Sequence, residues 1–216
     1  MKPRFALLFG FLIFIFWILL GCVLSFSQPA KEELLFFDDF SGENISWKTW
    51  VDETRSAASL NDGKLVMILE QGNTDIFSTN HISHPNIEMR VIASKDHGTN
   101  DNIIGLFCRY TDEKNYYSFL ISSDGYFGIT KKVDGMLTML SDEQMQYTEV
   151  INQGDAANAL SAICAGNTLE FVVNGETLAS VHDSSLRDGR NGVMIGTFSN
   201  PGYLVVMFDD FSVRAR

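Results

Sequence analysis

The sequence predicts an all-β protein, an antiparallel sandwich that comes after an apolar N-terminal segment. Three observations predict it. Beyond residue 30 the apolar residues fall in short runs of strand length. Turn signals separate those runs, with Asp124-Gly125, Asp134-Gly135 and Asn174-Gly175 as the clearest. No window sustains an apolar i, i+3, i+4 pattern over three turns, so helices are not expected.

The strands can be read in chain order. Gly63-Lys64 opens Leu65 to Leu69, which ends at Gln71-Gly72-Asn73. Ile87 to Ile92 alternates polar and apolar residues with period two, as a half-buried strand does. Ile103 to Tyr110 is a strand, and Tyr116 to Ser122 and Tyr126 to Val133 flank an Asp-Gly turn. Glycine accepts the positive φ that tight hairpins require, so Asp-Gly and Asn-Gly between β-rich runs mark hairpins. Asn158 to Ala165, Thr168 to Val173 and Glu176 to His182 repeat the pattern, and Gly192 to Ser199 and Tyr203 to Val213 close it. Phe37-Asp38-Asp39-Phe40-Ser41 recurs as Phe208-Asp209-Asp210-Phe211-Ser212 at the two ends of the domain. In jelly-roll sandwiches the first and last strands are commonly neighbours, so a fold of that kind implies that the copies face each other.

The first residues differ in kind. Lys2 and Arg4 precede an uncharged apolar run from Phe5 to Phe26, the layout of a secretory signal. Residues 1–27 are therefore expected to act as signal peptide, lipoprotein signal or membrane anchor, with 28–34 a short linker and 35–216 the folded domain. Three fates are open. Leu19-Leu20-Gly21-Cys22 is similar to a bacterial lipobox, with Cys22 the lipidated residue. Ser25-Phe26-Ser27 offers an ordinary cleavage site, and an uncleaved run is long enough to span a bilayer. Each fate places the domain outside the cell or on the outer face of its membrane.

The formal net charge of −11 repels phosphate backbones, so no nucleic-acid partner is expected. Of the three cysteines, Cys22 lies in the leader. Cys108 and Cys164 remain, each inside a strand-like run, and an even pair in an oxidising compartment is expected to form a disulfide between the two strands.

The string Asp38-Asp39-Phe40 with Trp47 and Gly63-Lys64-Leu65 resembles the start of the concanavalin A-like jelly rolls. Gly105 to Tyr110 with Asn115-Tyr116-Tyr117, then Leu169 to Gly175, and finally Gly192 to Gly196 with Phe208 to Phe211 extend the likeness over residues 35 to 214. More narrowly, the chain is similar to bacterial domains of the 3-keto-disaccharide hydrolase type and to laminin-G-like modules. The resemblance implies a concanavalin A-like jelly-roll β-sandwich, sugar bound on a concave face or its rim, and calcium held at an edge by acids near the chain ends.

The residues raise three kinds of site. Retaining glycoside hydrolysis needs two carboxylates about 5 Å apart. The Glu-x-Asp-x-x-Glu string that glucanases of this fold carry is absent, and Asp209 and Asp210 point to opposite faces on a regular strand. His81, His84, His97 and His182 have no nucleophile signature beside them, so no catalytic residue is nominated. No cofactor is expected to be required, beyond structural calcium at Asp38, Asp39, Asp209 and Asp210, since hard oxygen ligands suit that ion. The loop from Asp96 to Asn102 is a second oxygen-rich candidate. For an extracellular glycan, aromatic faces and planar polar groups are the natural contacts. Trp50, Arg109, Tyr110, Tyr116, Tyr126 and Tyr203 are the nominated ligand-binding residues, with Tyr147 a further candidate and Trp47 assigned to the core. Arg109, in an apolar strand, is expected to face solvent or a partner. Tyr117 and Phe119 alternate with Tyr116 and Ser118, so one pair lines the core and the other faces outward. The expected function is non-catalytic carbohydrate binding, with a sugar hydrolase or an adhesive protein-binding module as the alternatives.

Overall fold

The structure is a computed structural model that describes residues 33–42, 47–198 and 202–216. The leader, Cys22 and most of the linker lie outside the described residues, as does most of the Asn200-Pro201-Gly202 turn. Within them there is no helix, and sixteen strands form two antiparallel sheets. No helix of the described residues is long and apolar enough to cross a membrane.

One sheet has nine strands. In spatial order they are β14 (Glu176–His182), β13 (Thr168–Val173), β12 (Asn158–Ala165), β6 (Ile87–Gly98), β16 (Leu204–Ala215), β4 (Lys64–Leu69), β3 (Ala57–Asn61) and β2 (Trp50–Val51), with β1 (Leu34–Asp38) paired to β16. The other has seven. They run β10 (Met136–Met139), β9 (Tyr126–Val133), β8 (Asn115–Ile121), β7 (Asn102–Asp112), β15 (Arg190–Thr197) and β5 (Thr74–Ser83), with β11 (Gln146–Tyr147) paired to β9. The Asp-Gly and Asn-Gly turns join β8 to β9, β9 to β10 and β13 to β14, as their chemistry dictates.

Period-two burial builds the core. Leu65, Met67 and Leu69 of β4, Met89, Val91 and Ala93 of β6, and Leu169, Phe171 and Val173 of β13 all point inward. From the opposite sheet, Ile104, Leu106 and Cys108 of β7 meet them, with Tyr117, Phe119 and Ile121 of β8. Tyr117 and Phe119 are thus the inward pair, and Tyr116 and Ser118 lie on the other face. Cys108 and Cys164 are bonded across the two sheets, with Cα atoms 6.8 Å apart.

The duplicated Phe-Asp-Asp-Phe strings are neighbours, since Asp38 pairs with Phe211 and Phe37 with Ser212. Their aspartates are placed differently from a regular strand. The β16 register slips between Asp209 and Ser212, with Asp210 at φ 51°, so Phe208 and Phe211 both reach the core. A bulge inserts one residue and re-aims the side chains beyond it. Asp209 and Asp210 are therefore not split between two faces by simple alternation, as the sequence suggested. Trp47 lies in the core, edge-on to Phe211, with its indole Nε1 donating to the Asp38 carboxylate at 2.9 Å.

The sequence passed over β5, whose polar residues sit at both parities, and placed the end of β6 too early. Asp96 and His97 belong to β6, and Asn102 is buried at the start of β7, donating to the Thr99 carbonyl and to Ser123 Oγ. The candidate oxygen-rich loop is thus reduced to three residues. Loss of the inter-sheet bond frees a loop of 56 residues, worth about 4 kcal/mol in the chain-entropy model. Replacing Cys108 and Cys164 together by alanine is expected to lower Tm by roughly 10 °C in a thermal melt.

Candidate functional site

The outer face of the seven-stranded sheet carries the unusual chemistry. Residues of opposite parity to the core strands form a second apolar cluster there: Ile103, Phe107, Tyr116, Leu120 and Met194, with Phe77, Tyr110 and Met145 packed on it. An outer sheet face normally alternates to polar residues facing water. Part of this cluster is roofed by the segment after β10. A Cβ placed at Gly128 would lie 2.9 Å from Met139 Sδ and 3.5 Å from Met145 Cγ, so the absent side chain makes room for those two methionines.

The uncovered part is a cavity of about 220 Å³ lined by Lys48, Trp50, Asp75, Phe77, Thr79, Tyr110, Glu113 and Arg190. Its floor is an aromatic cluster. Phe77 lies 5.5 Å from Phe107, 5.6 Å from Tyr110 and 5.2 Å from Tyr116, and Tyr110 stacks on Tyr116 at 6.1 Å. Cations sit over two of the rings, Arg190 over Tyr110 and Lys132 over Tyr116. The Trp50 indole donates to the Phe77 carbonyl at 3.2 Å, which seats the ring at the outer edge of β5, beside the bridge of Trp47 to Asn80.

Tyr110 reaches this face because of a backbone irregularity. Cys108 is inward, so in a regular strand Tyr110 would be inward as well. Arg109 instead adopts φ 52°, and the register of β7 slips against both neighbours. The bulge turns Tyr110 outward and Arg109 inward. The expectation that Arg109 faces solvent or a partner is thereby corrected. It is 3% exposed, its guanidinium donates to the carbonyls of Leu186, Gly166 and Pro85, and it lies over the Tyr117 ring. Arg109 ties three chain segments together at one end of the sandwich.

Asp75 is the distinctive group of the cavity, and sequence reasoning missed it along with Glu113 and Arg190. It lies opposite Gly196 of β15, where a Cβ would fall 2.1 Å from its Oδ1, so its carboxylate occupies the space that this glycine leaves. No side chain or backbone group among the described residues donates a hydrogen bond to it. Burial pushes its pKa up, and the positive charge of Lys132 only partly opposes that. Tyr116 is pushed up as well, by burial first and then by the Asp75 charge. The signal that was available was a lone acid beside an aromatic residue in Asp75-Ile76-Phe77, but without a strand assignment it had no face.

The other nominated residues divide. Trp50 and Tyr110 line the cavity, whereas Tyr116 is 1% exposed and packs behind Phe77 and Tyr110 without lining it. Tyr126 lies at the far edge of the same sheet, paired with Tyr147. Tyr203 is exposed and lines neither place. The four proposed calcium ligands are not gathered: Asp38 accepts from Trp47 and the Phe40 amide, Asp39 caps Ser41, and Asp209 pairs with Lys64 at 2.6 Å. Among the described residues no three His, Cys, Asp or Glu side chains form a group able to hold a metal.

A larger hollow, about 520 Å³, lies on the outer face of the nine-stranded sheet. Ile92, Ile163 and Val172 line it, and its buried Glu88 is already paired with Arg90 and Arg216. Glu170, Thr177 and Asp210 add polar groups to its wall, but among the described residues no aromatic ring lines it, so it lacks a surface on which a sugar ring could stack.

Comparison with solved structures agrees with this architecture. The chain is similar to the carbohydrate-binding module CBM66 from Bacillus subtilis, with TM-score 0.63 and 14% identity over 79% of this chain and 96% of that one. It is also similar to a Bacillus subtilis protein of unknown function with a galectin-like fold, with TM-score 0.61 and 14% identity over 86% and 99% of the two chains. A third likeness is to the GH43 protein BlXynB from Bacillus licheniformis, with TM-score 0.57 and 17% identity over 83% of this chain but only 39% of that one. This chain thus spans about two-fifths of that hydrolase. No family model matches the sequence, and no curated protein matches it. The chain shares the fold of these proteins, an antiparallel all-β sandwich of the concanavalin A-like jelly-roll kind.

Because Asp75 binds its proton more tightly when folded, its ionisation costs stability as pH rises above the ordinary 3.8. Asp75→Asn is therefore expected to raise Tm at pH 7 relative to the parent and to leave it unchanged at pH 3, as read by thermal melts at both values.

Proposed function

We propose that this chain is an exported, non-catalytic carbohydrate-binding protein whose sugar site is the Trp50, Asp75, Tyr110 cavity. One observation carries the reading: a half-buried carboxylate without a protein donor stands beside the partly exposed rings of Trp50, Phe77 and Tyr110 and the charged heads of Lys48, Glu113 and Arg190. Sugars present apolar C–H faces and vicinal hydroxyls together. Rings that stack and carboxylates that accept from hydroxyl pairs answer both. An acceptor left unpaired in the free protein gains a partner on binding a hydroxyl, and it discriminates against ligands that lack one. The fold shared with a carbohydrate-binding module supports the same reading. Export is supported by the signal-like leader and by a disulfide, which persists in oxidising compartments. Attachment to a membrane, through a lipid on Cys22 or an uncleaved leader, belongs to this reading as well.

A second reading has one specific observation behind it. Asp75 and Glu113 are two carboxyls in one cavity, and the raised pKa of Asp75 suits a proton donor to a leaving oxygen. In that case the chain is a sugar hydrolase, and Glu113 is the partner carboxylate.

The full chain is to be applied to a glycan array, once in calcium and once with a chelator. Binding to at least one glycan is expected, and Trp50→Ala and Tyr110→Ala are each expected to weaken it roughly tenfold, the loss of about 1.4 kcal/mol. Binding to none in either buffer overturns the reading. Release of reducing sugar from a bound glycan, abolished by Glu113→Gln, would favour the hydrolase instead.

A further inference from the structure

The sheet register places a second group of sugar-compatible side chains in line with the first. Asp75 of β5 pairs with Gly196 of β15, and Gly196 pairs with Ile103 of β7. Ile104 pairs with Ile121 of β8, so Ile103 stands beside Ser122, whose amide donates to the Tyr126 carbonyl. Tyr126 pairs with Tyr147 of β11. These residues form one row that crosses the strands on the outer face. Gly196, Ile103 and Ser122 in its middle are buried and carry neither a ring nor a charge, so a ligand would contact the row at its two ends.

The far end of the row is a shallow hollow of about 620 Å³. Tyr126 and Tyr147 stand edge to face there at 5.7 Å, and they are 41% and 54% exposed, so their faces are available to a ligand. Asp142, Glu143, Gln144 and Gln146 supply carboxylates and planar amides around them. Gln153 donates to the Tyr147 hydroxyl at 3.0 Å and fixes that ring's orientation. Tyrosines exposed as a pair cost solvation that a core does not recover, and the amide and acid heads beside them match a hydroxyl-rich ligand better than an apolar one.

We infer that the Tyr126 and Tyr147 pair is a second sugar subsite, and that the bound carbohydrate is an extended oligosaccharide running across the strands from the Asp75 cavity to this pair. Four inter-strand steps separate Asp75 from Tyr126, about 19 Å at ~4.8 Å per step, or the reach of roughly four sugar units. Two weak subsites on one rigid face act as a linked pair, so affinity rises steeply once a ligand is long enough to touch both. The inference rests on the sugar-binding reading of the Asp75 cavity.

The test uses the full chain and four ladders of soluble oligosaccharides, fructo-, xylo-, cello- and laminari-, each from two to eight units, measured by titration calorimetry. In the ladder that binds, affinity is expected to rise at least tenfold between two and six units. Tyr126→Ala with Tyr147→Ala is expected to abolish that rise while leaving the disaccharide affinity unchanged. Trp50→Ala is expected to weaken every length. Both tyrosines are exposed, and an unchanged thermal melt of the double variant confirms that it folds. An affinity that is flat with length, or a length dependence untouched by the double variant, overturns the second subsite and leaves the cavity reading standing. Failure of all four ladders to bind overturns the second subsite, and failure of the glycan array as well overturns both.

Discussion

The bond between Cys108 and Cys164 is the constraint on which the remaining architecture depends. In a strand, neighbouring side chains point to opposite faces, so fixing one residue fixes all the others of that strand. The disulfide holds Cys108 of β7 against β12 of the opposite sheet, which sends Ile104 and Leu106 inward and Ile103 and Phe107 outward. Through antiparallel pairing the same parity passes to β8 and β15. Leu106 faces Phe119 and Val193 in the core, and the residues between them line the outer face. A one-residue slip would bury the site and expose the core. The covalent link and the apolar faces together exclude it.

Against that regular frame, the functional side chains depend on irregularities. The bulge at Arg109 turns Tyr110 onto the outer face and sends a guanidinium into the space between the sheets. A buried cation is costly unless its hydrogen bonds are met, and three carbonyls from three separate segments meet most of them here. Asp183 closes the same end of the molecule. Burial by itself would raise its pKa, but hydrogen bonds from Lys131, Tyr117 and Ser185 hold it well below the usual carboxylate range. The conformational cost of placing Tyr110 is thus offset by polar contacts some distance from the cavity.

The protein holds two kinds of buried charge. Glu88 and Asp183 are paired with groups of the chain itself, and so is Arg109 except at Nε, which has no partner among the described residues. Asp75 has the space of a missing Cβ at Gly196, an aromatic wall and no donor.

The sequence by itself determined the all-β class, the hairpins at Asp124-Gly125, Asp134-Gly135 and Asn174-Gly175, the disulfide, the core position of Trp47 and the pairing of the two Phe-Asp-Asp-Phe strings. The class, the hairpins and the cysteine pair come from local rules, namely turn chemistry, period-two hydrophobicity and cysteine count, whereas the pairing of the two strings follows from the jelly-roll resemblance, in which first and last strands are neighbours. Trp50, Tyr110 and Tyr116 were legible as aromatic residues in the right strands or beside them, but their meeting was not. Asp75, Glu113 and Arg190 lie on three separate segments, and Arg109 changes face through a single positive φ. Only the tertiary structure decided those placements, because strand register and a one-residue bulge are set by contacts between segments far apart in the chain.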